Sequence, residues 1–80
     1  MLTDADIKQW IEAGLPESEA EVTGDGHHFE ATVICPHFDG KTVIEQHRMV
    51  YDALGDKMQN VIHALALKTL TPEQLGQDEE

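Results

Sequence analysis

The sequence predicts an α+β domain in which helices cover one face of a three-stranded mixed sheet. Some segments repeat apolar residues at helical spacing, and others alternate apolar and polar residues with a period of two. Turn residues separate these segments, which gives the order α-β-β-α-β-α with no internal repeat and no long linker. A sheet this small must bury an apolar face to be stable, so we expect the helices on one side.

The first helix is predicted over about residues 3 to 14. Thr3 is a candidate N-cap, Ile7 and Ile11 recur at helical spacing, and Gly14 with the nearby Pro16 ends the pattern. A short strand is then expected from Glu19 to Thr23, before a Gly24-Asp25-Gly26 cluster that tolerates positive φ.

The second strand begins at His28 and is predicted to be half buried. Its odd-numbered residues are apolar, whereas His28, Glu30 and Thr32 face the other way. Cys35 shares the apolar face, so it is expected to be a small buried side chain. Pro36 and Asp39-Gly40 predict that a loop follows.

The second half of the chain is predicted to hold a helix, a strand and a short final helix. The final helix is expected to begin at Thr71-Pro72, since threonine is a good N-cap and proline fits the first turn. Gly55 is a weak point near the end of the preceding helix. The helical stripe consists of Val43, His47, Val50, Leu54 and Met58, and the strand from Val61 to Thr69 places Val61, His63, Leu65 and Leu67 on one face.

Composition narrows the class of protein. The 80 residues suit a single domain over 1–80, with a core over about 3–75 and a short acidic tail at 77–80. The absence of a long apolar run and of a signal-peptide pattern favours a cytoplasmic protein with no membrane partner. Cys35 is the only cysteine, so no internal disulfide can form. The formal net charge of −11 disfavours nucleic acid at long range.

Four stretches of the sequence resemble the BolA family. The resemblance covers about residues 5 to 75, and the four motifs occur in one order. They are Gly24-Asp25-Gly26-His27-His28-Phe29, Phe38-Asp39-Gly40-Lys41, His47-Arg48-Met49-Val50-Tyr51-Asp52-Ala53-Leu54, and Ile62-His63-Ala64-Leu65-Ala66-Leu67-Lys68-Thr69.

The resemblance implies a class II KH-like fold and a non-catalytic adaptor. Members of the family pair with monothiol glutaredoxins and share a [2Fe–2S] cluster that also takes glutathione as a ligand. The isolated chain is then expected to hold no cofactor and to act on no small-molecule substrate. The family's C-terminal ligand is the histidine of the Ile-His-Ala-Leu motif, which is His63 here.

The second ligand of such a cluster would come from the loop between the first two strands. The cysteine that some family members use there falls near Asp25, a poor ligand for this iron. His27 or His28 would then replace it, and the sequence leaves the choice open. His27 is favoured by its position in the turn, whereas His28 is favoured because alternation along the strand directs its side chain away from the core.

Four further residues are candidates for a surface that contacts the partner, glutathione or nucleic acid. Guanidinium and ammonium groups pair well with carboxylates, although ordinary solvated charges are an equal alternative. The candidates are Lys41, Arg48, Lys68 and His47, of which His47 is also expected to be a partly buried histidine.

Two other functions compete with cluster sharing. The KH-like fold is compatible with a transcriptional regulator that binds DNA weakly and with steep salt dependence, although no Gly-x-x-Gly loop occurs in the sequence. A metal-free scaffold that holds a glutaredoxin by surface contact is the second alternative. From the residues alone, a core or edge histidine is the favoured interpretation of His63 over a ligand, and the resemblance to the family reverses that preference. No catalytic set of residues is evident, so we expect no enzymatic activity.

Overall fold

The structure is a computed structural model that describes residues 2–25, 27–60, 62 and 64–78. Helices and strands follow the predicted order, with one additional helical turn after the second long helix. The elements are α1 (Asp4–Gly14), β1 (Glu19–Gly24), β2 (His28–Ile34), α2 (Val43–Leu54), α3 (Lys57–Asn60), β3 (Ala64–Leu70) and α4 (Pro72–Asp78).

Three of the helices begin with the same local hydrogen-bond pattern. In each, a threonine side chain accepts a bond from the backbone N–H three residues later, and the side chain there accepts from the threonine N–H. This capping box satisfies N–H groups that have no partner inside the helix. The pairs are Thr3 with Asp6, Thr42 with Glu45, and Thr71 with Gln74. The predicted starts of the first and last helices are therefore confirmed.

The sheet has the strand order β1-β2-β3 and is mixed. β2 pairs with β1 in the antiparallel direction and with β3 in the parallel direction. The antiparallel pair closes through the short loop after Gly24, whereas the parallel pair needs the crossover through α2. The predicted α+β class, with helices over a three-stranded mixed sheet, is confirmed.

The hydrophobic core lies between the helices and one face of the sheet. Ile7 and Ile11 of α1, Val50 of α2 and Val33 of β2 have no exposed surface. Odd-numbered residues of β2 face this core, as alternation predicts. The even-numbered residues lie on the opposite, largely exposed face, which we call the open face.

Helix α2 runs antiparallel to β2 and β3, and buried polar contacts mark its start. Gln46, near its first turn, donates from Nε2 to the carbonyl oxygens of Phe38 (3.1 Å) and Lys41 (3.0 Å). Its Oε1 accepts a bond from the hydroxyl of Thr69 near the end of β3. Beyond the other end of α2, the N–H of Ile62 donates to the carbonyl of Lys57 at 2.8 Å. The end of α2 therefore lies near the start of β3.

Four details differ from the sequence prediction. The expected loop after Cys35 contains a 3₁₀ turn over Pro36–Phe38 whose Phe38 is fully buried. Val43 does not join the buried stripe, because it is 62% exposed at the first turn of α2. Gly55 adopts a φ of 59° and ends that helix, so Met58 belongs to α3. β3 runs from Ala64 to Leu70 and so ends one residue later than predicted, while Val61 and His63 of the predicted strand lie outside the described residues. Cys35 is fully buried, as predicted.

Candidate functional site

The loop between β1 and β2 is organised by Asp25. Its Oδ1 accepts hydrogen bonds from the backbone N–H groups of His27 and His28, both at 2.9 Å. Its own N–H donates to the carbonyl of His28 at 3.2 Å. The bond from the His28 N–H and then that from the His27 N–H hold the pKa of the Asp25 carboxyl below its ordinary value. Asp25 is thus ionised at neutral pH and fixes the backbone that carries both histidines.

This role of Asp25 is not among the predictions from the sequence, in which the residue stands only as a poor ligand for iron. The available signal was the residue type, because aspartate commonly bonds backbone N–H groups two or three residues further on. With its oxygen Oδ1 engaged in this way, the residue positions neighbouring side chains.

His28 lies at the end of the sheet where β3 also begins. In the parallel register its Cα partner is Ala64, the residue that follows His63 in the sequence. His27 and His28 are both exposed, and His28, as an even-numbered residue of β2, lies on the open face. His63 itself lies outside the described residues. The structure therefore brings the loop histidines to the sequence neighbour of the predicted C-terminal ligand. We call this region, residues 25, 27, 28, 62 and 64, the histidine end.

The donor chemistry of the histidine end fits a ligand role shared with another molecule. Two exposed histidines, His27 in the loop and His28 at the start of β2, have their backbone N–H groups held by Asp25. Imidazole nitrogen is a suitable ligand for iron in a [2Fe–2S] cluster. Within residues 2–25, 27–60, 62 and 64–78, no three His, Cys, Asp or Glu side chains are grouped to hold a metal ion.

The four predicted surface residues do not form one patch. Lys41 and Arg48 line an open groove along α2, and His47 lines the adjacent groove with Arg48. Lys68 instead pairs in register with Thr32 and has the parity of the open face, across the sheet from α2. The structure corrects the idea of a single surface: Lys68 shares a sheet face with His28, whereas the other three belong to the helix layer.

Helix α2 also exposes two apolar side chains that are not part of the helical stripe predicted from the sequence. Ile44 is 70% exposed and Tyr51 is 39% exposed. Together with His47 and Arg48 they line one open groove. The spacing of 44, 47, 48 and 51 could have identified this face, because i, i+3, i+4 and i+7 lie on one side of a helix. We call these four residues the α2 strip.

A profile of the family described as BolA-like protein matches residues 12–74. The chain belongs to the BolA-like family. Among solved structures, a BolA protein homologue from Coxiella burnetii is 58% identical and has a TM-score of 0.90, with coverage of 95% of this chain and 99% of that one. The resemblance inferred from the four motifs is confirmed.

Two curated BolA-like relatives differ in how much of their length is matched. The acid stress protein IbaG of Escherichia coli strain K12 is 31% identical over 91% of this chain and 88% of its own length. The DNA-binding transcriptional regulator BolA of Vibrio cholerae is 39% identical over 68% of this chain and 51% of its length. The chain spans 42% of BolA-like protein 1 from Pongo abelii.

These BolA-like relatives carry names of a stress protein and a transcriptional regulator, and neither name describes an enzyme. Lack of enzymatic activity stays a prediction for this chain. Within the described ranges, no helix has the length and apolar character needed to cross a membrane.

Proposed function

We propose that this chain is an adaptor that pairs with a monothiol glutaredoxin and shares a glutathione-assisted [2Fe–2S] cluster at the histidine end. The observation that supports the proposal most directly is the register of β2 with β3, in which His28 pairs with the residue after His63. The two segments that carry candidate ligands thus converge although they are far apart along the chain. The proposed ligands are His63 and one of His27 and His28.

The cluster is cargo in this proposal, and the chain supplies ligands and their position. Asp25 fixes the backbone of the loop, which reduces the conformational freedom that ligation would otherwise have to remove. Exposure of both loop histidines leaves their rings accessible to a cluster carried by a partner. Thiolate ligands have to come from the partner and from glutathione, because the chain's single cysteine, Cys35, is buried in the core.

The experiment that tests the proposal mixes the purified chain with a reconstituted monothiol glutaredoxin and glutathione. Visible absorption and circular dichroism are recorded for the wild type and for His63→Ala, His28→Ala and His27→Ala. We expect a heterodimer spectrum that differs from that of the glutaredoxin alone and that His63→Ala alters or abolishes. Only one of the two loop variants should have the same effect, since neighbouring residues diverge in an extended chain.

His37→Ala is the matched control for these histidine variants. His37 is exposed on the 3₁₀ turn after β2, away from the histidine end, where its Nε2 lies 3.2 Å from Glu17 Oε1. Its removal should leave the spectrum unchanged. Identical spectra for the wild type and His63→Ala would reject the proposal and would favour a metal-free scaffold, provided that the complex with glutaredoxin still forms.

DNA binding is a second candidate, and the name of the Vibrio cholerae relative is the observation that favours it. In this chain the groove that contains Lys41 and Arg48 also contains Glu45 and Asp52, which weakens attraction to phosphate. Fluorescence anisotropy with duplex DNA at low salt tests this candidate. Binding that falls steeply with salt and is lost in Arg48→Glu would support it, and undetectable binding at low salt would reject it.

A further inference from the structure

The outer edge of β3 carries backbone groups that point away from the sheet. The N–H of Cys35, just after β2, donates to the carbonyl of Leu70 at 3.0 Å, so the backbone groups of Leu70 face β2. Successive residues of a strand direct their backbone groups to opposite sides, so those of Leu65, Leu67 and Thr69 point outward. In the part of the chain that the structure describes, no hydrogen bond engages these outward N–H and C=O groups. The edge therefore offers alternating donors and acceptors to another strand.

The core-facing side chains of β3 are also incompletely covered. Leu65 and Leu67 pack against the core but stay partly exposed. Their register partners on β2, Phe29 and Ala31, are each only 2% exposed. The difference arises because β2 is the central strand of the sheet and β3 is an edge strand. A further strand beyond β3 would remove the exposed parts of both leucines from water, which is favourable.

The opposite edge of the sheet is protected, which makes the β3 edge distinctive. At β1, Glu12 accepts a hydrogen bond from the N–H of Ala20 at 2.9 Å, and Lys8 donates to the carbonyl of the same residue at 2.8 Å. β3 contains no proline and no acidic residue, and Lys68 is its single charged residue. β3 thus has few of the features by which edge strands resist the addition of another chain.

The open face beside β3 determines which side chains an added strand would carry. Glu30 of β2 is exposed, pairs in register with Ala66 and makes no ion pair among the described residues. Ala66 is small and exposed, so a lysine or arginine opposite it on an added strand would extend across its methyl group to the Glu30 carboxylate. Lys68, two residues further along the same face, disfavours a second cation opposite itself.

We propose that the outer edge of β3 binds an extended segment of a partner protein, which adds a fourth strand antiparallel to β3. The segment would supply matching N–H and C=O groups, apolar residues that cover Leu65 and Leu67, and a lysine or arginine opposite Ala66. An extended backbone presents donors and acceptors at the spacing of a strand edge, whereas a helix does not. In strand addition the backbone bonds provide affinity and the alternate side chains provide specificity.

A second copy of the chain is a weaker candidate for this edge. A two-fold axis beside Leu67 would pair the two β3 edges and set Lys68 of each copy opposite Ala66 of the other. Lys68 already takes part in an interaction within its own chain, and two chains with a net charge of −11 repel each other. A cationic segment of another protein brings its own lysine or arginine and is attracted by the same net charge, so it is the committed occupant.

The inference goes beyond cluster sharing and does not rest on it. The groups that it uses are the backbone of β3 and the side chains of Leu65, Leu67 and Glu30, and none of them is a proposed ligand. Binding is therefore measured without iron and without glutaredoxin. His63→Ala should bind the partner segment as the wild type does, whatever its effect on a cluster.

The test uses the full chain and two synthetic seven-residue peptides of identical sequence. Leucine alternates with polar residues, and a lysine stands opposite Ala66 in the proposed register. In an antiparallel pair, the peptide residues whose N–H groups face β3 have side chains on the core side, so these are the leucines. One peptide is N-methylated at its polar residues, which leaves the bonding edge intact, and the other is N-methylated at its leucines, which blocks that edge. Fluorescence anisotropy measures affinity.

We expect the blocked peptide to bind at least about tenfold more weakly than the intact one, since its donors to β3 are lost. Amide hydrogen exchange locates the site. In the free chain the N–H groups of Leu65, Leu67 and Thr69 should exchange faster than those of Ala66 and Lys68, and the intact peptide should slow the exchange of the first three.

The charge requirement is tested by a matched pair of variants. Glu30→Lys should weaken binding of the intact peptide about fivefold, because attraction to its lysine becomes repulsion. Glu21→Lys is the control, since it makes the same change of charge at an exposed position of the open face but lies on β1, with β2 between it and β3. It should alter affinity by less than about twofold. Thermal unfolding of both variants checks that they are folded.

Several results would overturn the inference. They are equal affinity of the two N-methylated peptides, absence of saturable binding, protection of amides away from β3, and equal effects of Glu30→Lys and Glu21→Lys. Sedimentation that shows a dimer of the free chain which the intact peptide dissociates would identify a second copy as the occupant and would also reject the proposal.

Discussion

Gly24 occupies a position that has no room for a side chain. A Cβ atom there would lie 2.6 Å from the carbonyl oxygen of His28 and would also overlap the ring of Phe29. Tolerance of positive φ, which the sequence predicts for this glycine cluster, is wrong as the reason for Gly24, since the described glycines with positive φ are Gly40 and Gly55. Close approach of the β2 backbone is the physical cause.

Gly24→Ala is therefore expected to displace either Phe29 from the core or the backbone of His28. We expect a loss of about 1–3 kcal/mol in the free energy of unfolding, as for other overpacked sites, measured by urea denaturation. Gly76→Ala in α4 is the control, because nothing lies within 4 Å of its added Cβ. That variant should be neutral or more stable. Equal stability of Gly24→Ala and the wild type would contradict the structural assignment.

At the scale of elements, helix α1 covers the outer edge of strand β1. Glu12 Oε2 accepts the N–H of Ala20 at 2.9 Å, and Lys8 Nζ donates to the carbonyl of the same residue at 2.8 Å. Both backbone groups of Ala20 are thus satisfied by side chains of α1. An exposed edge strand invites pairing with another chain, and this arrangement protects that edge.

Glu12→Ala should lower the free energy of unfolding by about 1 kcal/mol, because one backbone bond and one surface ion pair are lost. The bond from Lys8 and then that from the Ala20 N–H lower the pKa of Glu12. The contribution of the Glu12 carboxylate to the free energy of unfolding is therefore present above the ordinary glutamate pKa and is lost as pH falls through the lowered pKa. Urea denaturation at pH 7 and at pH 3 measures both effects.

Glu21→Ala is the control for Glu12→Ala, since Glu21 is an exposed glutamate on the open-face side of the same strand. Its stability at pH 7 should stay within about 0.5 kcal/mol of the wild type. A Glu12→Ala deficit that is as large at pH 3 as at pH 7 would show that the carboxylate is not the source of the effect.

At the scale of the whole molecule, a large negative charge is confined to a small volume. The net charge is −11, and the molecule measures 35 × 24 × 19 Å. At about 10 mM salt the Debye length is about 30 Å, so most of its charges interact with one another. Self-repulsion of this kind destabilises the compact state.

Raising NaCl from about 10 mM to about 0.5 M should therefore raise the thermal unfolding midpoint, because the Debye length falls to about 4 Å. Differential scanning calorimetry at pH 7 measures the change, and KCl should give the same result if screening is the cause. A midpoint that falls with salt would indicate that attractive pairs such as Lys8 with Glu12 outweigh the repulsion.

The sequence was sufficient for the element order because periodicity and capping residues act locally. Thr3 and Thr71 marked helix starts, and alternation from Phe29 assigned the buried face of β2. The sequence could not predict that Lys68 lies on a different surface from Lys41 and Arg48, because this depends on how α2 and β3 pack against the sheet. The exposed state of Ile44 likewise follows from tertiary packing and not from residue type.

The parallel pairing of β2 with β3 has a consequence for how the chain folds. β1 and β2 are joined by a few residues and can meet by a short loop closure, whereas His28 and Ala64 are 36 positions apart and meet only after α2 has crossed between them. Contacts of such long sequence separation form late and slow the search for the native state. The pairing of His28 with Ala64, which completes the histidine end, should therefore be among the last contacts to form during refolding.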